Sequence, residues 1–461
     1  MLDVLEMSSE EIRGAIRASK LTIAVYGLGW MGLPTACLFA EAGARVIGVD
    51  VNPRVIRLIK EGKSPIEGRA LESLLRKHVS NKRFTIASDS RQAASQSDVM
   101  IIIVPTSVDE GEKPVYASIE RVCKDIGLNM KRRCLIIVES TVGPGVTENV
   151  AKRILEAHSG FEAGSDFALA YSPIRAMAGN ALKDIQSYPR IIGGIDGRSL
   201  RVASAVLSSI VRGGIVKVRD IKTAEAVKLF ENVYRDVNIA LSSELAILCE
   251  KIGIDFKEAR EAANTQPHSH IHKPRVGVGG HCIPVNPYFL IAEAKAVDTN
   301  LRLVKSARRI NDRMPTHIVR LVSLGLRRCK KTLKRSTIAV LGSSYRADVK
   351  DARHSPSHEI IERLLRKGAK VRVYDPYFTA SEIKDMGYLA FGSLGRTIEG
   401  VDCILLAVGH DEFKKLKIED VARVVKRPAC IVDGWRIFNP EEVERNRLAY
   451  YGVGFGRFSA D

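Results

Sequence analysis

Short apolar runs alternate with helix-like stretches from Leu21 onwards, and this alternation dominates the chain. The early runs are LTIAVYGLG, RVIGVDVN, FTIAS, VMIIIVPTS, CLIIVEST and FALAYSP. Val- and Ile-rich strands that are each followed by a helical segment are typical of a parallel sheet covered on both faces. The same pattern returns in STIAVLGSSY, KVRVYDPY, CILLAVG and CIVDGW. The sequence therefore predicts an α/β protein with two doubly wound, Rossmann-like domains.

The stretch between about residues 221 and 320 has a different pattern, because strand-like runs are missing from it. Long amphipathic segments such as TAEAVKLFENVYRDVNIALSSELAILCEKIGI replace them, and this one ends at a glycine as helices often do. We expect a central helical domain that also supplies a dimer surface, followed by a basic linker, RRCKKTLKR. The predicted parts are an N-terminal helical extension at 1–20, a first Rossmann-like domain at 21–212, the central domain with a cysteine loop at 213–325, and a second Rossmann-like domain at 326–461.

Composition narrows the class of protein. A chain of 461 residues with 45% hydrophobic content can bury more than one core. Apolar runs of about 18 residues are missing and the start of the chain is charged, so we expect a cytoplasmic protein that does not enter a membrane. The eight cysteines form no CxxC pair and predict reduced core thiols. The net charge of +18 is spread along the chain, which favours a small anionic ligand over nucleic acid.

A dinucleotide-binding pattern follows the first predicted strand. Gly27, Gly29 and Gly32, with Trp30 and Met31 between them, lie between that strand and a helix, and an aspartate, Asp50, ends the next strand 18 residues later. Glycines let the backbone approach a pyrophosphate at a helix N-terminus, and the acid accepts hydrogen bonds from a ribose. An acid at this position favours NAD over NADP. The alternative is a tight turn that binds nothing.

The second sheet lacks such a triplet. A single glycine, Gly342, follows its first strand in VLGSSYRADVKDARHSP. A Rossmann-like domain without the fingerprint often holds another ligand, and here the nucleotide of a substrate is expected. Arg346 and Arg353 are then candidate contacts to phosphate or base, although each could equally be a surface arginine.

A candidate nucleophile, Cys282, lies in the segment GVGGHCIP. Three glycines in the four residues from Gly277 to Gly280 make a loop in which substrate can approach backbone and thiol. A thiolate can add to an aldehyde and later leave a thioester for hydrolysis, which converts an alcohol into an acid through two hydride transfers. A glycine loop with an inert cysteine is the alternative.

Two groups of polar residues accompany this loop. His281, His268, His270 and His272 lack the carboxylates or cysteines that would complete a metal site, so none is predicted. The residues Lys228, Asn232 and Arg235 are spaced to lie on one face of a helix. From the sequence pattern alone, that face is equally well a solvated polar one.

Ten motifs in order make the chain resemble the UDP-glucose/GDP-mannose dehydrogenase family, most closely its branch that acts on UDP-N-acetylhexosamines. The motifs are GLGWMGLP, VDVNP, VPTSVDEGEKP, ESTVGPG, SPIRAMAGNAL, RIIGG, KLFENVYRDVNIA, GVGGHCIPVNPYFL, VLGSSYRADVKDARHSP and YDPY. The resemblance implies NAD-dependent oxidation of the primary alcohol of such a sugar, UDP-N-acetylmannosamine above all, to the uronic acid, with two NAD per turnover. It also implies a UDP-binding second domain and a homodimer built through the central helix.

The resemblance also implies residue roles. Cys282 would be the nucleophile, Lys228 would stabilise oxyanions or shuttle protons, and Asn232 and Asn286 would order the same site. Besides the glycine segment and Asp50, the residues expected to contact the cofactor are Arg54, Thr106, Thr141 and Arg353. The residues expected to contact the substrate are Arg175, Ala176, Lys228, Asn232, Arg235, His268, Gly279, Tyr345, Arg346 and Arg436.

The chain departs from the family pattern at two acid-base positions. Ile174 stands where the family normally has a glutamate thought to activate water, and Asn286 stands where it has an aspartate. Neither residue can act as a general base, so thioester hydrolysis is expected to be slow unless another group helps, and His268 or His270 is our candidate.

The loop before the cysteine departs as well. Related sequences tend to have arginine and asparagine at the positions of His268 and His270, and glycine at that of Arg275. Three functions stay open at this point. The chain is an active dehydrogenase, a paralogue that binds NAD and a nucleotide sugar without turnover, or an enzyme that stops at an aldehyde or a thioester.

Overall fold

The computed structural model describes residues 3–66, 68–87, 89–177 and 179–456. Two compact units divide these residues. The first unit contains Met1–Glu231 and Tyr288–Thr299, and the second contains Asn232–Pro287 and Asn300–Asp461. The chain passes from the first unit to the second within one long helix, so each unit is described by itself.

The described residues before position 253 form ten α-helices and ten strands. In chain order they are α1 (Ser9–Arg17), β1 (Thr22–Tyr26), α2 (Gly32–Ala42), β2 (Arg45–Val49), α3 (Pro53–Lys60), α4 (Arg69–Ser80), β3 (Phe84–Ala87), α5 (Ser90–Gln96), β4 (Val99–Ile102), β5 (Ser107–Val108), β6 (Pro114–Val115), α6 (Ala117–Gly127), β7 (Leu135–Val138), α7 (Arg153–Ser159), β8 (Ala168–Tyr171), α8 (Ala181–Ser187), β9 (Arg190–Gly194), α9 (Gly197–Leu207), β10 (Ile215–Lys217) and α10 (Ile221–Ile252). A π-helical segment, Thr147–Lys152, leads into α7.

The first unit is built on an eight-stranded sheet. Its strand order is β10-β9-β8-β7-β4-β1-β2-β3, and the pairs are parallel except for β8 with β9. The six strands β3-β2-β1-β4-β7-β8 follow the order of a doubly wound dinucleotide fold, in which ligands bind where the order reverses, beside β1 and β4. Strands β1, β4, β7 and β8 are buried along their whole length, because helices cover both faces of the sheet.

The N-terminal extension is part of the first unit's core. Ser8 and Glu11 form a reciprocal capping box at the start of α1, which fixes where this helix begins. The side chains of Ile12 and Ile16 are fully buried, and α1 packs on α9. Arg201 also donates hydrogen bonds to the carbonyl oxygens of Leu5 and Met7. These contacts anchor the extension to the first Rossmann-like fold.

The remaining elements follow α10. They are α11 (Phe256–Ala263), α12 (Asn286–Ala296), α13 (Arg302–Arg328), β11 (Thr337–Leu341), α14 (Pro356–Arg366), β12 (Lys370–Tyr374), α15 (Ala380–Asp385), β13 (Leu389–Ala390), α16 (Leu394–Ile398), β14 (Cys403–Leu406), α17 (Asp411–Lys414), α18 (Ile418–Val424), β15 (Cys430–Asp433), α19 (Pro440–Arg445) and β16 (Ala449–Gly452).

The second unit is built on a six-stranded parallel sheet with the order β13-β12-β11-β14-β15-β16. This is again the doubly wound order, so the prediction of two Rossmann-like domains with a helical segment between them is confirmed. Helix α13 packs on α14 and on strands β14, β15 and β16. The predicted basic linker contains a short 3-10 helix, Leu333–Arg335, and Lys331 donates to the Asp402 carboxylate at 2.7 Å. Among the described helices, none is long and apolar enough to cross a bilayer.

Candidate active site

The turn after β1 has the close approaches that its glycines allow. Gly27 has a φ of +94°, and a Cβ atom there would lie 2.3 Å from the Ile103 carbonyl oxygen. A Cβ at Gly32 would lie 1.8 Å from the carbonyl oxygen of Gly27. Around Gly29, by contrast, a Cβ would meet no described atom within 4 Å. The two outer glycines thus let strand and helix pack closely, and the middle one leaves open space where a pyrophosphate can approach the backbone.

Helix α2 begins directly after this turn. Met31 is its N-cap residue, and no side chain caps the helix. The first N–H groups of a helix have no intrahelical partner, so this end is suited to an anion. Trp30 and Met31 are both partly buried beside the turn. The predicted cofactor segment thus has the geometry of a phosphate-binding helix N-terminus.

Asp50 ends β2 at the rim of this turn. Its carboxylate accepts hydrogen bonds from the backbone N–H groups of Leu28 and Asn52, each at 2.8 Å. The side chain is only partly buried, so its remaining lone pairs can accept from ribose hydroxyls. Arg54 lies in the first turn of α3 and is exposed.

The two threonines predicted to contact the cofactor lie together. The hydroxyl of Thr106 donates to the carbonyl oxygen of Thr141 at 2.7 Å. The loop after Thr141 is held by Glu225 of α10, which accepts from the N–H groups of Gly145 at 2.5 Å and Thr147 at 2.8 Å. Burial raises the pKa of Glu225 to about 7. The sequence analysis missed Glu225, although its position three residues before Lys228 is a usable signal.

Lys228 lies on α10 in the first unit. Its Nζ atom donates to the backbone carbonyl oxygen of Ile174 at 2.6 Å. The Ile174 side chain is 5% exposed and belongs to the apolar core, where Ala176 packs against the same cluster. Arg175 forms an ion pair with Glu231 at 2.7 Å and also donates to the Pro189 carbonyl oxygen.

The second unit carries the cysteine loop. A Cβ at Gly279 would lie 2.6 Å from the Pro356 ring, and one at Gly280, whose φ is +84°, would lie 2.7 Å from the Tyr345 ring. The glycines therefore let this loop pack against the segment from Tyr345 to Pro356. Cys282 is partly buried, and the other seven cysteines are buried.

Three polar residues, His281, Tyr345 and Arg353, lie near the thiol. A hydrogen bond with Cys282 raises the pKa of His281, although partial desolvation of this otherwise exposed residue opposes the shift. The rings of His281 and Tyr345 meet edge to face with centroids 6.3 Å apart. Burial raises the pKa of Tyr345, and the charges of Asp351 and Cys282 raise it further. Burial raises the pKa of Asp351, but Arg353 donates two hydrogen bonds to its carboxylate, at 2.9 and 2.6 Å. These bonds outweigh burial and lower the pKa. The thiol thus has a histidine as its hydrogen-bonding neighbour.

An amide network lies at the start of α12. The side-chain amide of Asn232 donates to the side-chain oxygen of Asn286, and Arg235 donates to the side-chain oxygen of Asn232. Asn232 is fully buried and Asn286 is 3% exposed. The backbone N–H of Asn286 donates to the Cys282 carbonyl oxygen at 2.9 Å. The structure therefore brings Cys282, Asn232, Asn286 and Arg235 into one network within the second unit.

The crevice of the second sheet differs from that of the first. Asp375 ends β12 as Asp50 ends β2, and it accepts from the N–H groups of Ser343 and Ser344 at 2.8 and 3.0 Å. Unlike Asp50, it is fully buried, and it is hydrogen-bonded to His410 at 3.1 Å. A Cβ at Gly342 would lie 2.4 Å from the Val408 side chain. Gly342 is thus as closely packed as Gly27 of the first sheet, and the two crevices differ in that the aspartate of the second one is buried.

His410 also holds the loop that carries Tyr345 and Arg346. Its Nδ1 atom accepts from the Asp348 N–H at 2.9 Å, so its Nε2 atom donates to Asp375. Burial raises the pKa of Asp375, but the hydrogen bonds from His410 and the serines outweigh it and lower the value to about 2. The sequence analysis missed both residues.

A cleft of about 390 Å³ lies elsewhere in the second unit. The residues that line it are Phe256, Lys257, Arg260, Lys273, Pro274, Gly434, Trp435, Arg436 and Val453. The guanidinium of Arg436, a predicted substrate contact, donates hydrogen bonds of 3.2 and 2.7 Å to the Asp255 carboxylate.

His268, another predicted substrate contact, is exposed. Among the described residues, no group of histidines, cysteines and carboxylates could hold a metal ion.

Comparison with known proteins assigns this arrangement to a family. Residues 21–211 match the NAD binding domain of the UDP-glucose/GDP-mannose dehydrogenase family, residues 222–313 its central domain and residues 339–440 its UDP binding domain. The chain belongs to this family. It is an NAD-dependent UDP-sugar dehydrogenase, and the open Gly29, the uncapped start of α2 and the accessible Asp50 fit NAD.

Relatives within the family are similar over nearly their whole length. The UDP-N-acetyl-D-mannosamine dehydrogenase of Pyrococcus horikoshii is 37% identical, over 95% of this chain and 100% of the relative. The solved structure of the Pyrococcus horikoshii enzyme superposes with a TM-score of 0.87 at 36% identity, again over 95% and 100% of the two chains. An NDP-N-acetyl-D-galactosaminuronic acid dehydrogenase from Methanosarcina mazei gives 0.82 at 31% identity, over 98% of each chain.

Proposed function

We propose that this dehydrogenase oxidises the primary alcohol of a UDP-N-acetylhexosamine, with UDP-N-acetylmannosamine as the first choice, to the uronic acid. The names of the similar enzymes support the substrate class. The observation that carries the chemistry is that His281 adjoins Cys282, which raises the pKa of its imidazole, because this brings a base to a thiol that is only partly buried. Cysteine–histidine pairs of this kind activate the thiol as a nucleophile.

Cys282 is the proposed covalent nucleophile. Bound NAD supplies the hydride acceptor for each of two oxidations, so two NAD are consumed per sugar. Between them, the Cys282 sulfur bonds to the aldehyde carbon and gives a thiohemiacetal, whose oxidation leaves a thioester. Water then attacks the thioester carbon, the C–S bond breaks, and the thiol and the carboxylate product are released.

Lys228, Asn232 and Asn286 are proposed to serve the oxygen atoms of this sequence. The ammonium group of Lys228 stabilises a developing oxyanion or carries its proton, and Asn232 orders the site from one helical turn further along α10. Asn286 can orient a water molecule by hydrogen bonding, but it cannot take the proton from it. The proton therefore needs another acceptor in the hydrolytic step.

The proton acceptor for hydrolysis decides between full oxidation and a stalled enzyme. His281 is our first candidate, because it adjoins Cys282, whose sulfur would carry the thioester, and His268 and His270 stay as alternatives. A second candidate function, an enzyme that stops at the thioester, is favoured by one observation. The Ile174 side chain, at the family's glutamate position, is buried among apolar residues and offers no base.

The remaining predicted contacts form part of the proposal. The glycine segment, Asp50, Arg54, Thr106 and Thr141 would hold NAD, together with Arg353. The proposed substrate contacts, besides Lys228 and Asn232, are Arg175, Ala176, Arg235, His268, Gly279, Tyr345, Arg346 and Arg436.

A homodimer through α10 is also proposed. Tyr234, Leu241 and Leu248 are 46–52% exposed and recur every seven residues, and Ile252 follows four residues later at 56%. Apolar residues at this spacing form one stripe along a helix, which a second copy of the helix can cover. Sedimentation of Leu241→Glu and Leu248→Glu variants tests this, because a charge in the seam should give monomers, whereas unchanged dimers would exclude it.

A cytoplasmic site of action completes the proposal. All eight cysteines lie in described parts of the chain and none is paired, as expected for a reducing compartment. The four-part division of the chain at residues 20, 212 and 325 likewise stays a proposal.

A substrate panel tests the proposed function. Initial rates of NADH formation would be measured with UDP-N-acetylmannosamine, UDP-N-acetylglucosamine, UDP-N-acetylgalactosamine and UDP-glucose. We expect the highest kcat/KM with the mannosamine substrate and no turnover in the Cys282→Ala variant. A preference for UDP-glucose, or full activity of the alanine variant, would overturn the assignment.

A further inference from the structure

Arg190 is a buried arginine of the first unit that the proposed site does not use. It is the first residue of the RIIGG motif and of β9, which runs antiparallel to β8. Because of this direction, the start of β9 lies at the same edge of the sheet as the carboxyl ends of β7 and β8. Ligands of a doubly wound fold bind at this edge. The reversed strand thus brings a buried guanidinium to the ligand-binding edge.

The guanidinium of Arg190 joins the ends of two strands. It donates to the carboxylate of Glu139, the residue that follows β7. It also donates to the side-chain oxygen of Ser172, the residue that follows β8, at 2.9 Å and to its carbonyl oxygen at 3.4 Å. The Ser172 hydroxyl in turn donates to the Ile191 carbonyl oxygen at 2.8 Å. One side chain therefore holds together the points where β7 and β8 meet the loops of the site.

A short stretch of backbone connects Ser172 to Lys228. Pro173 separates Ser172 from Ile174, whose carbonyl oxygen accepts the hydrogen bond from Lys228 at 2.6 Å. Proline has a fixed φ and favours an extended conformation in the residue before it, so this connection is stiff. A shift of Ser172 would therefore move the Ile174 carbonyl oxygen and the ammonium group that it holds.

The cofactor loop has supports that do not involve Arg190. The Ser140 hydroxyl donates to the Val104 carbonyl oxygen at 2.8 Å and accepts from the Val104 N–H at 2.9 Å. Glu225 holds the loop further along the chain. Loss of the Arg190 contacts should therefore displace Lys228 and leave NAD binding largely intact.

Stability alone does not account for the ion pair between Arg190 and Glu139. Both side chains are buried, and the Oε2 atom of Glu139 has no hydrogen-bond partner among the residues that the structure describes. Desolvation of two charges cancels much of their attraction, and apolar residues of similar volume often stabilise a fold equally well. The pair is therefore better explained by the geometry that it fixes.

We propose that Arg190 is a positioning residue, which holds the Ile174 carbonyl oxygen and with it the ammonium group of Lys228 in place for the oxidation. The inference rests on the proposed role of Lys228 and adds the side chain that sets its position. A displacement of about 1 Å caused by a change far from the reacting atoms can lower a rate about a hundredfold.

Two variants break the connection at different points. Arg190→Lys keeps a charge beside Glu139 but loses the planar fork that also reaches Ser172. Ser172→Ala keeps the ion pair and removes the hydroxyl. Ser199→Ala is the matched control, because Ser199 is also buried and its hydroxyl oxygen accepts from a backbone N–H of β8, that of Leu169, at 3.2 Å.

The kinetic expectation is a loss of kcat without a matching loss of cofactor affinity. With the UDP-sugar that is turned over fastest, kcat should fall about 10- to 100-fold in Arg190→Lys and Ser172→Ala, while the Kd for NAD stays within about twofold. The Ser199→Ala control should keep the wild-type kcat. A general loss of structure in the first unit would instead weaken NAD binding as well.

Acetylation of Lys228 by acetic anhydride tests its position without turnover. Peptide mass spectrometry compares the rate with that of Lys222, an exposed lysine of the same helix. The amine reacts only when it is released from the Ile174 carbonyl oxygen, so a weaker hold should raise the relative rate by up to about tenfold. This rise is expected in Arg190→Lys and Ser172→Ala but not in the control.

Two results distinguish a failure of the inference from a failure of the proposed function. Unchanged kcat and unchanged Lys228 labelling in Ser172→Ala, the milder of the two changes, would overturn the role of Arg190 and leave the proposed function intact. Full kcat in a Lys228→Ala variant would overturn the proposed role of the lysine and the inference with it.

Discussion

The Nζ atom of Lys228 lies 2.6 Å from the backbone carbonyl oxygen of Ile174 and donates a hydrogen bond to it. Ile174, which we expect to stand at the family's glutamate position, therefore meets the lysine through its main chain, while its side chain lies in the apolar core at 5% exposure. This arrangement keeps the ammonium group in place but supplies no carboxylate to activate water. In the proposed mechanism, thioester hydrolysis is therefore the step on which turnover depends.

A glutamate in place of Ile174 should accelerate the proposed thioester hydrolysis. We expect Ile174→Glu to raise kcat about a hundredfold if hydrolysis limits turnover, which is the usual worth of a general base. The same change should destabilise the fold by about 2 kcal/mol or more, because a polar group enters an apolar environment. Steady-state kinetics and a thermal melt measure the two effects. Ile174→Gln is the control, and equal kcat values for the glutamate and glutamine variants would contradict the role assigned to the position.

His281 should control the reactivity of Cys282. Iodoacetamide should label one thiol per folded chain, because the other seven cysteines are buried. In the wild type the charged imidazole favours the thiolate, so labelling should persist to lower pH than in His281→Gln. Mass spectrometry of the intact chain across a pH series measures this. Identical pH profiles for the two proteins would rule out the pairing, and His268→Gln serves as the control for a histidine of the same loop.

The interaction between His281 and Cys282 also predicts how the stability of the fold changes with pH. The pKa of His281 is raised in the folded protein, so its contribution is fully present below the ordinary histidine pKa and is lost as pH rises through the folded value. The side chain is exposed, and the effect on unfolding is therefore expected to be small. The His281→Gln variant should lack this dependence.

Glu225 should act on the cofactor loop and on stability together. Glu225→Gln places an amide NH₂ where two backbone N–H groups need acceptors. The loop from Thr141 to Thr147 should therefore loosen, and the KM for NAD should rise more than the KM for the sugar. The pKa of Glu225 is raised to about 7, so protonation stabilises the fold below the ordinary glutamate value. That contribution, roughly 3 kcal/mol, is lost as pH rises through about 7.

Melts of wild type and Glu225→Gln between pH 5 and 8 measure this contribution. Glu231→Gln, on the same helix, is a suitable control because its carboxylate is only partly buried. Parallel pH profiles for the wild type and Glu225→Gln would show that the carboxyl does not titrate in this range.

The Asp375–His410 pair should act on the sugar instead of the cofactor. Both residues fix the loop that carries Tyr345 and Arg346, through the N–H groups of Ser343 and Ser344 and of Asp348. We expect Asp375→Asn or His410→Ala to raise the KM for the UDP-sugar about tenfold while the KM for NAD stays unchanged. The lowered pKa of Asp375, about 2, means that its contribution to stability is lost only as pH falls through that value. Equal rises in both KM values would indicate a general loss of structure.

Much of the fold can be predicted from the apolar pattern of the sequence. The features that cannot be predicted have physical reasons. All ten strands predicted from Val- and Ile-rich runs are present. Strands such as β10, with three residues, and β13, with two, are too short to carry a period. The antiparallel pairing of β8 with β9 was also beyond reach, because an apolar run does not encode the direction of its neighbour.

The candidate site also contains features that the sequence predicts and features that it does not. The glycine turn, Asp50 and the polar face with Asn232 and Arg235 are local patterns, and the described structure has them as the spacing predicts. The contacts of His410 with Asp375 and of Arg275 with Trp435 join residues 35 and 160 positions apart, so no spacing rule connects them. The proximity of His281 to Cys282 could be predicted from the sequence, because the two residues are adjacent in the chain.

The number of NADH molecules formed per sugar tests the central claim most directly. A limiting amount of UDP-N-acetylmannosamine would be consumed to completion with excess NAD, and NADH would be read by absorbance. Two NADH per sugar with sustained turnover is the predicted result, since both oxidations and the release of Cys282 are then complete. A single burst that stops near one enzyme equivalent would contradict full oxidation and indicate a thioester that this site cannot hydrolyse.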